Sequence, residues 1–88
     1  MMPDTLFRQM LTDIRQEKGL LQSEVAEKLG KNQSFVSKYE RGERRLDLPD
    51  FLDVAELLEV NPLDCIEKYR TELARQKALQ RTHVPVAK

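Results

Sequence analysis

Apolar residues recur along this chain at helical spacing. Leu6, Met10, Leu11 and Ile14 make one stripe, the pattern left by one buried face of a 3.6-residue period. The stripe predicts a first helix from about Asp4 to Lys18, with Asp4 or Thr5 as its cap and Gly19 as its end. Val25, Ala26 and Leu29 predict a short second helix over Gln22–Leu29, opened by Gln22 or Ser23. A third follows over Gln33–Arg41, capped by Asn32, with Phe35, Val36 and Tyr39 as its apolar contacts. After a basic loop at 43–47, a fourth starts near Pro49 and runs to about Leu58. Leu48, Phe51, Leu52, Ala55 and Leu58 are expected to point inward there. Asn61-Pro62 opens a fifth helix that passes Ile66 and Tyr69 and reaches Gln80. No stretch alternates apolar and polar residues, so no strand is predicted. The expectation is an all-α fold with one domain over 1–81 and a disordered tail over 82–88.

Composition narrows this picture. With 88 residues and 40% apolar content, the chain can bury one modest core. A single cysteine, Cys65, allows no internal disulfide and is expected in the core. The first ten residues hold Asp4 and no apolar run, so a secretory signal is not predicted. No apolar stretch approaches the roughly 18 residues a membrane helix needs. These features predict a soluble cytoplasmic protein.

Net charge is zero, with 15 basic and 15 acidic residues. That total alone argues against nucleic acid, since phosphate contacts need local positive potential. The distribution matters more. Residues 31–45 hold Lys31, Lys38, Arg41, Arg44 and Arg45 against two acids. Residues 46–67 hold seven acids and no Lys or Arg, and residues 68–88 hold six basic residues and one acid. A basic block thus precedes an acidic one, giving a neutral protein a usable field.

Residues 22–41 place the chemistry. Ala26 is small where two helices would cross, Gly30 suits the tight turn between them, and Val36 packs back between the pair. Framed by Val25, Leu29 and Tyr39, this Ala-x3-Gly-x5-Val pattern meets the steric needs of a helix-turn-helix. In that unit the second helix stands proud, and its first residues can enter the major groove of DNA.

At this point the chain resembles a known family. Phe35-Val36-Ser37-Lys38-Tyr39-Glu40-Arg41-Gly42 and the opening Leu11-x2-Ile14-Arg15-x3-Gly19-Leu20-x-Gln22 are similar to stretches of the Xre-type helix-turn-helix family of phage lambda-like repressors and Cro proteins. The resemblance spans about residues 6–69. It implies a five-helix lambda-repressor-like domain, here with a longer C-terminal helix. It also implies sequence-specific binding of double-stranded DNA by a transcriptional regulator, expected to be a repressor acting as a homodimer on a palindromic operator. By the same resemblance Gln33, Ser34 and Lys38 face base edges. Gln33 is the sharpest of these, because an amide can pair bidentately with adenine. Gln22 would meet a phosphate. Asn32, Phe35, Arg41, Arg44 and Arg45 would line the phosphate backbone or groove wall, which sets register and affinity. Arg15 and Glu40 match a partly buried ion pair that orients the reading helix. Lys31 departs from the family's usual Val or Thr, either loosening the turn or adding a phosphate contact.

Each residue has a plainer reading on its own. Gln33 can be an exposed surface residue, Gln22 a cap, Phe35 ordinary core, and Arg44 and Arg45 solvated loop charges. One short helix reads only about 4–6 base pairs, so a twofold pair of copies is expected. Val60, Leu63, Ile66 and Tyr69, extended by Leu73, are the expected dimer surface. The rival reading is a protein-interaction module, such as an antitoxin whose residues 68–81 and tail cap a toxin. An RNA adaptor is weaker, with no aromatic platform for splayed bases. No catalytic constellation or metal-ligand spacing is visible: His83 is the single histidine, and the acids at 47–67 fall at outer-face spacing. No enzyme activity, cofactor, metal or small-molecule ligand is expected.

Overall fold

The computed structural model describes residues 3–83, all on five helices and their connections. They are α1 (Pro3–Glu17), α2 (Gln22–Leu29), α3 (Gln33–Arg41), α4 (Leu48–Leu57) and α5 (Pro62–His83). α2 and α3 have the expected bounds. α5 runs three residues beyond the expected Gln80, so of the predicted tail Thr82 and His83 are helical. Residues 84–88 lie outside the described residues.

Local chemistry fixes most helix ends. Asp47 caps α4 by accepting from the Asp50 amide at 2.9 Å, and Asn61 accepts from the Leu63 amide at 2.8 Å at the start of α5. The cap of α2 is Leu21, not Gln22 or Ser23. Its amide donates to the Glu24 carboxylate at 2.7 Å, the reciprocal half of a capping box, while its own side chain offers no acceptor. Gly30 takes φ +72° where α2 turns into α3, and its neighbour Lys31 donates its amide to the Ala26 carbonyl at 2.9 Å.

The core sits where the helices meet. α3 packs on α2 and α1, α4 on α2 and α5, and α5 on α1. Leu11, Val25, Val36, Val54 and Leu58 are its most completely enclosed large side chains. Each contributes about 1.5–3 kcal/mol through removal from water. Phe7 links three helices: its ring centroid lies 5.4 Å from Phe51 on α4 and 5.5 Å from Tyr69 on α5. Cys65 is buried, and burial pushes its thiol pKa up, which suits an inert core residue.

Helix α4 departs from the expected inward face. Leu48 and Leu52 are exposed, while Val54 is fully enclosed. Packing against α2 and α5 puts Phe51, Val54, Ala55 and Leu58 on the core side, and Leu48 and Leu52 fall on the outer side.

Candidate nucleic-acid interface

Helix α3 is held by its inner face and free on its outer one. Phe35, Val36 and Tyr39 are buried, whereas Gln33, Ser34 and Lys38 are exposed. Burial pushes the Tyr39 hydroxyl pKa well above its usual value, with the Glu40 charge adding to the effect. The three exposed side chains occupy the first two turns, the part of a reading helix that reaches a groove. Ser34 Oγ donates to Asn32 Oδ1 at 2.6 Å, so Asn32 as N-cap spends its side chain on Ser34 and not on a helix amide.

The orientation of α3 is set at its C-terminal end. Arg15 on α1 donates from Nε to Glu40 Oε2 at 2.7 Å and from Nη2 to Oε1 at 3.1 Å. Both side chains are nearly enclosed, at 11% and 7% exposure, so this bidentate pair is shielded from salt and water. Arg15 Nη1 also donates to the Leu20 carbonyl at 2.7 Å, tying in the α1–α2 turn. Gln22 Nε2 donates to Glu40 Oε1 at 2.8 Å. The amide of Gln22, expected on a phosphate, is thus engaged by Glu40, which links α1, α2 and α3 at one carboxylate.

Sequence reasoning missed Arg8. Its Nη1 donates to the Glu40 carbonyl at 3.0 Å, capping the last turn of α3, and its Nε lies 3.4 Å from Asp4. The available signal was spacing: Arg8 and Arg15 are seven residues apart and share one face of α1.

The cations beside α3 are arranged unevenly. Arg41 is exposed and pairs with Glu43 at 2.8 Å, a hydrogen bond that holds the Glu43 carboxyl below its usual range. Arg44 is exposed and lies 3.9 Å from Asp50, and Arg45 is exposed on the same loop. The loop is pinned by the amides of Glu43 and Arg44, which donate to the Lys38 carbonyl at 2.8 and 3.3 Å. Phe35, expected along the backbone or groove wall, is 9% exposed and packed edge-on to Tyr39. The Lys31 ammonium and the Arg44 guanidinium lie over its ring.

Two members of the acidic block stay close to these cations: Asp47 caps α4 at the end of the basic loop, and Asp50 lies beside Arg44. Asp53, Glu56, Glu59, Asp64 and Glu67 are exposed on α4, α5 and their connection. Among the described residues no group of His, Cys, Asp and Glu could hold a metal, and no helix is long and apolar enough to cross a membrane. Of the expected dimer residues, Leu63 and Ile66 are exposed at 71% and 38%. Val60 and Tyr69 are half-buried against the core, so they can contribute only edges to any such surface.

A helix-turn-helix family model (HTH_3) matches residues 11–64. Among solved structures, an XRE-family like protein from Pseudomonas syringae pv. tomato is 34% identical, with a TM-score of 0.76, over 80% of this chain and 85% of that one. A mutant of the restriction-modification controller protein C.Esp1396I is 26% identical, with a TM-score of 0.75, over 84% and 94%. The controller protein C.AhdI from Aeromonas hydrophila is 34% identical, with a TM-score of 0.65, over 70% and 94%. No curated protein sequence is similar enough to the chain to count as a match.

Proposed function

The chain belongs to the XRE-type helix-turn-helix family, and from that premise we propose that it is a non-catalytic, DNA-binding transcriptional regulator of the cytoplasm. In this reading α3 enters the major groove. Gln33, Ser34 and Lys38 read base edges, and Lys31, Asn32, Arg41, Arg44 and Arg45 meet the phosphate backbone. One observation carries it: the exposed face of α3 is flanked by cations, while its other face is locked by Arg15, Arg8 and Glu40. A reading helix needs both, because base contacts demand a fixed orientation and phosphate contacts supply affinity. Gln22 keeps a role as an orienting residue through Glu40, and its carboxamide oxygen remains for a donor.

The finer parts of the reading are a homodimer, a palindromic operator and repression. Leu63 and Ile66 on α5 support the dimer, since large exposed apolar side chains near one another are what a self-complementary twofold surface uses. A repressor then works by occupying its operator and excluding other proteins.

Fluorescence anisotropy on duplex DNA across salt concentrations tests the core of this. Wild type should bind with an affinity that falls steeply with salt, and Arg44→Ala with Arg45→Ala should flatten that slope. Sedimentation of Leu63→Asp tests the dimer: a monomer is expected. Salt-independent binding, or none, would favour the protein-partner reading, with capture of a toxin-like partner as its next test.

A further inference from the structure

The ring of Phe35 touches two cations that come from opposite ends of its helix. Lys31 Nζ lies 5.2 Å from the ring centroid and Arg44 Cζ lies 4.7 Å from it. Lys31 stands in the turn before α3, and Arg44 in the loop after it. A nine-residue helix spans about 13 Å, so the two are far apart along the chain's path. Phe35 is the third residue of α3. Arg44, which follows the helix in sequence, is therefore folded back to the helix's first turn.

The chemistry of this arrangement favours a second partner for both cations. An aromatic face attracts a cation through its quadrupole and takes no strong hydrogen bond, so the N–H donors stay available. Phe35 is 9% exposed, and Tyr39 meets its ring edge-on at 5.9 Å. The platform is thus packed into the core while both cations remain exposed. The acid near Arg44 is Asp50, half-buried at 3.9 Å and outside good hydrogen-bond range, a loose contact that a phosphate can displace. The N-terminus of α3 lies at the same end, and its dipole favours negative charge.

We propose that Phe35 is a positioning residue: its ring holds Lys31 and Arg44 as one preset pair of phosphate-binding cations beside the first turn of α3. The proposal rests on the reading of the chain as DNA-binding, and it identifies which residue arranges the backbone contacts. Long cationic side chains ordinarily lose rotamer freedom when they grip a phosphate. Over the Phe35 ring that ordering is already done before DNA arrives.

The test is a double-mutant comparison of affinity for duplex DNA. Phe35→Leu keeps the apolar bulk and removes the π face; Phe35→Tyr keeps the ring. In the wild-type background Phe35→Leu should weaken binding roughly five-fold, the low end of the ordering cost of two long side chains, and Phe35→Tyr should not. In a Lys31→Ala/Arg44→Ala background, Phe35→Leu should cost nothing further. A purely structural Phe35 predicts the same loss in both backgrounds. That outcome, or no loss in either, overturns the platform while leaving DNA binding intact. Failure of the wild type to bind duplex DNA overturns both readings. If Phe35→Leu does not fold, proton NMR of the wild type decides: ring currents should move the Lys31 Cε and Arg44 Cδ protons upfield, and unshifted resonances overturn the proposal.

Discussion

Arg8 and Gly42 meet where α3 ends: a Cβ on Gly42 would lie 2.8 Å from the Cζ and Nε of Arg8. Gly42 also has φ +84°, a left-handed conformation that side chains resist. Gly42→Ala therefore carries two penalties. The backbone strain costs about 1 kcal/mol, and displacing Arg8 from the Glu40 carbonyl costs about 1 kcal/mol more. Gly19 is the internal control, with φ +70° and open space around its missing Cβ. Urea denaturation should show Gly42→Ala losing about 2 kcal/mol and Gly19→Ala about half of that. Equal losses would mean that Arg8 yields freely.

Glu40 collects four contacts from two other helices, α1 and α2, and it should be the residue least tolerant of removal near α3. Glu40→Ala leaves the Arg15 guanidinium enclosed with no carboxylate partner. Breaking a buried pair from one side costs about 3–5 kcal/mol. Denaturation should show a loss in that range, with DNA affinity falling further because α3 loses its orientation. A loss below about 1 kcal/mol would mean that the pair behaves as a surface contact.

Glu59 is the one non-glycine with positive φ among the described residues, at +59°. It follows α4, where its amide donates to Glu56 and that of Val60 to Ala55, both at 3.0 Å. The turn needs this conformation and the Glu side chain does not favour it. Glu59→Gly should raise stability by about 0.5–1 kcal/mol, read as an increase in Tm. A drop in Tm would show that the Glu59 side chain contributes more than its backbone costs.

Alkaline pH should act through Tyr39. Its folded-state pKa lies above the unfolded value of about 10 because the hydroxyl is buried and sits by Glu40. The protonated form is favoured by folding, so this contribution is fully present below pH 10. It is lost as pH rises past 10 toward the folded value, by up to about 1.4 kcal/mol per pH unit. Melting curves between pH 8 and 11 should show Tm falling above pH 10, with a shallower fall for Tyr39→Phe. Parallel falls would assign the effect to other groups.

Much of this architecture was legible in the sequence, for specific reasons. α2 and α3 have the expected bounds because Gly30 and Gly42 stop them and Asn32 stands where a cap belongs. The Arg15–Glu40 pair was foreseen through a motif, not through spacing. On α4 the apolar residues are too many for one face, so apolarity alone could not tell Leu48 and Leu52 from Val54; packing against α2 and α5 decides which face is buried. Phe7 escaped because it stands beside the stripe of Leu6 and Met10, and only its contacts with Phe51 and Tyr69 reveal its place. The gathering of Lys31 and Arg44 over Phe35 is a through-space event between two segments, and no linear pattern encodes it.

Sequence-specific reading by α3 is the central claim, and selection of binding sites from a random duplex library tests it most directly. Wild type and Gln33→Ala would be run in parallel at near-physiological salt. A short palindrome is predicted for wild type, with an adenine preference that weakens in the variant by about 1–3 kcal/mol. Enrichment of no sequence by the wild type, with residual binding abolished by modest salt, would contradict the claim and leave the basic segment as a nonspecific footprint.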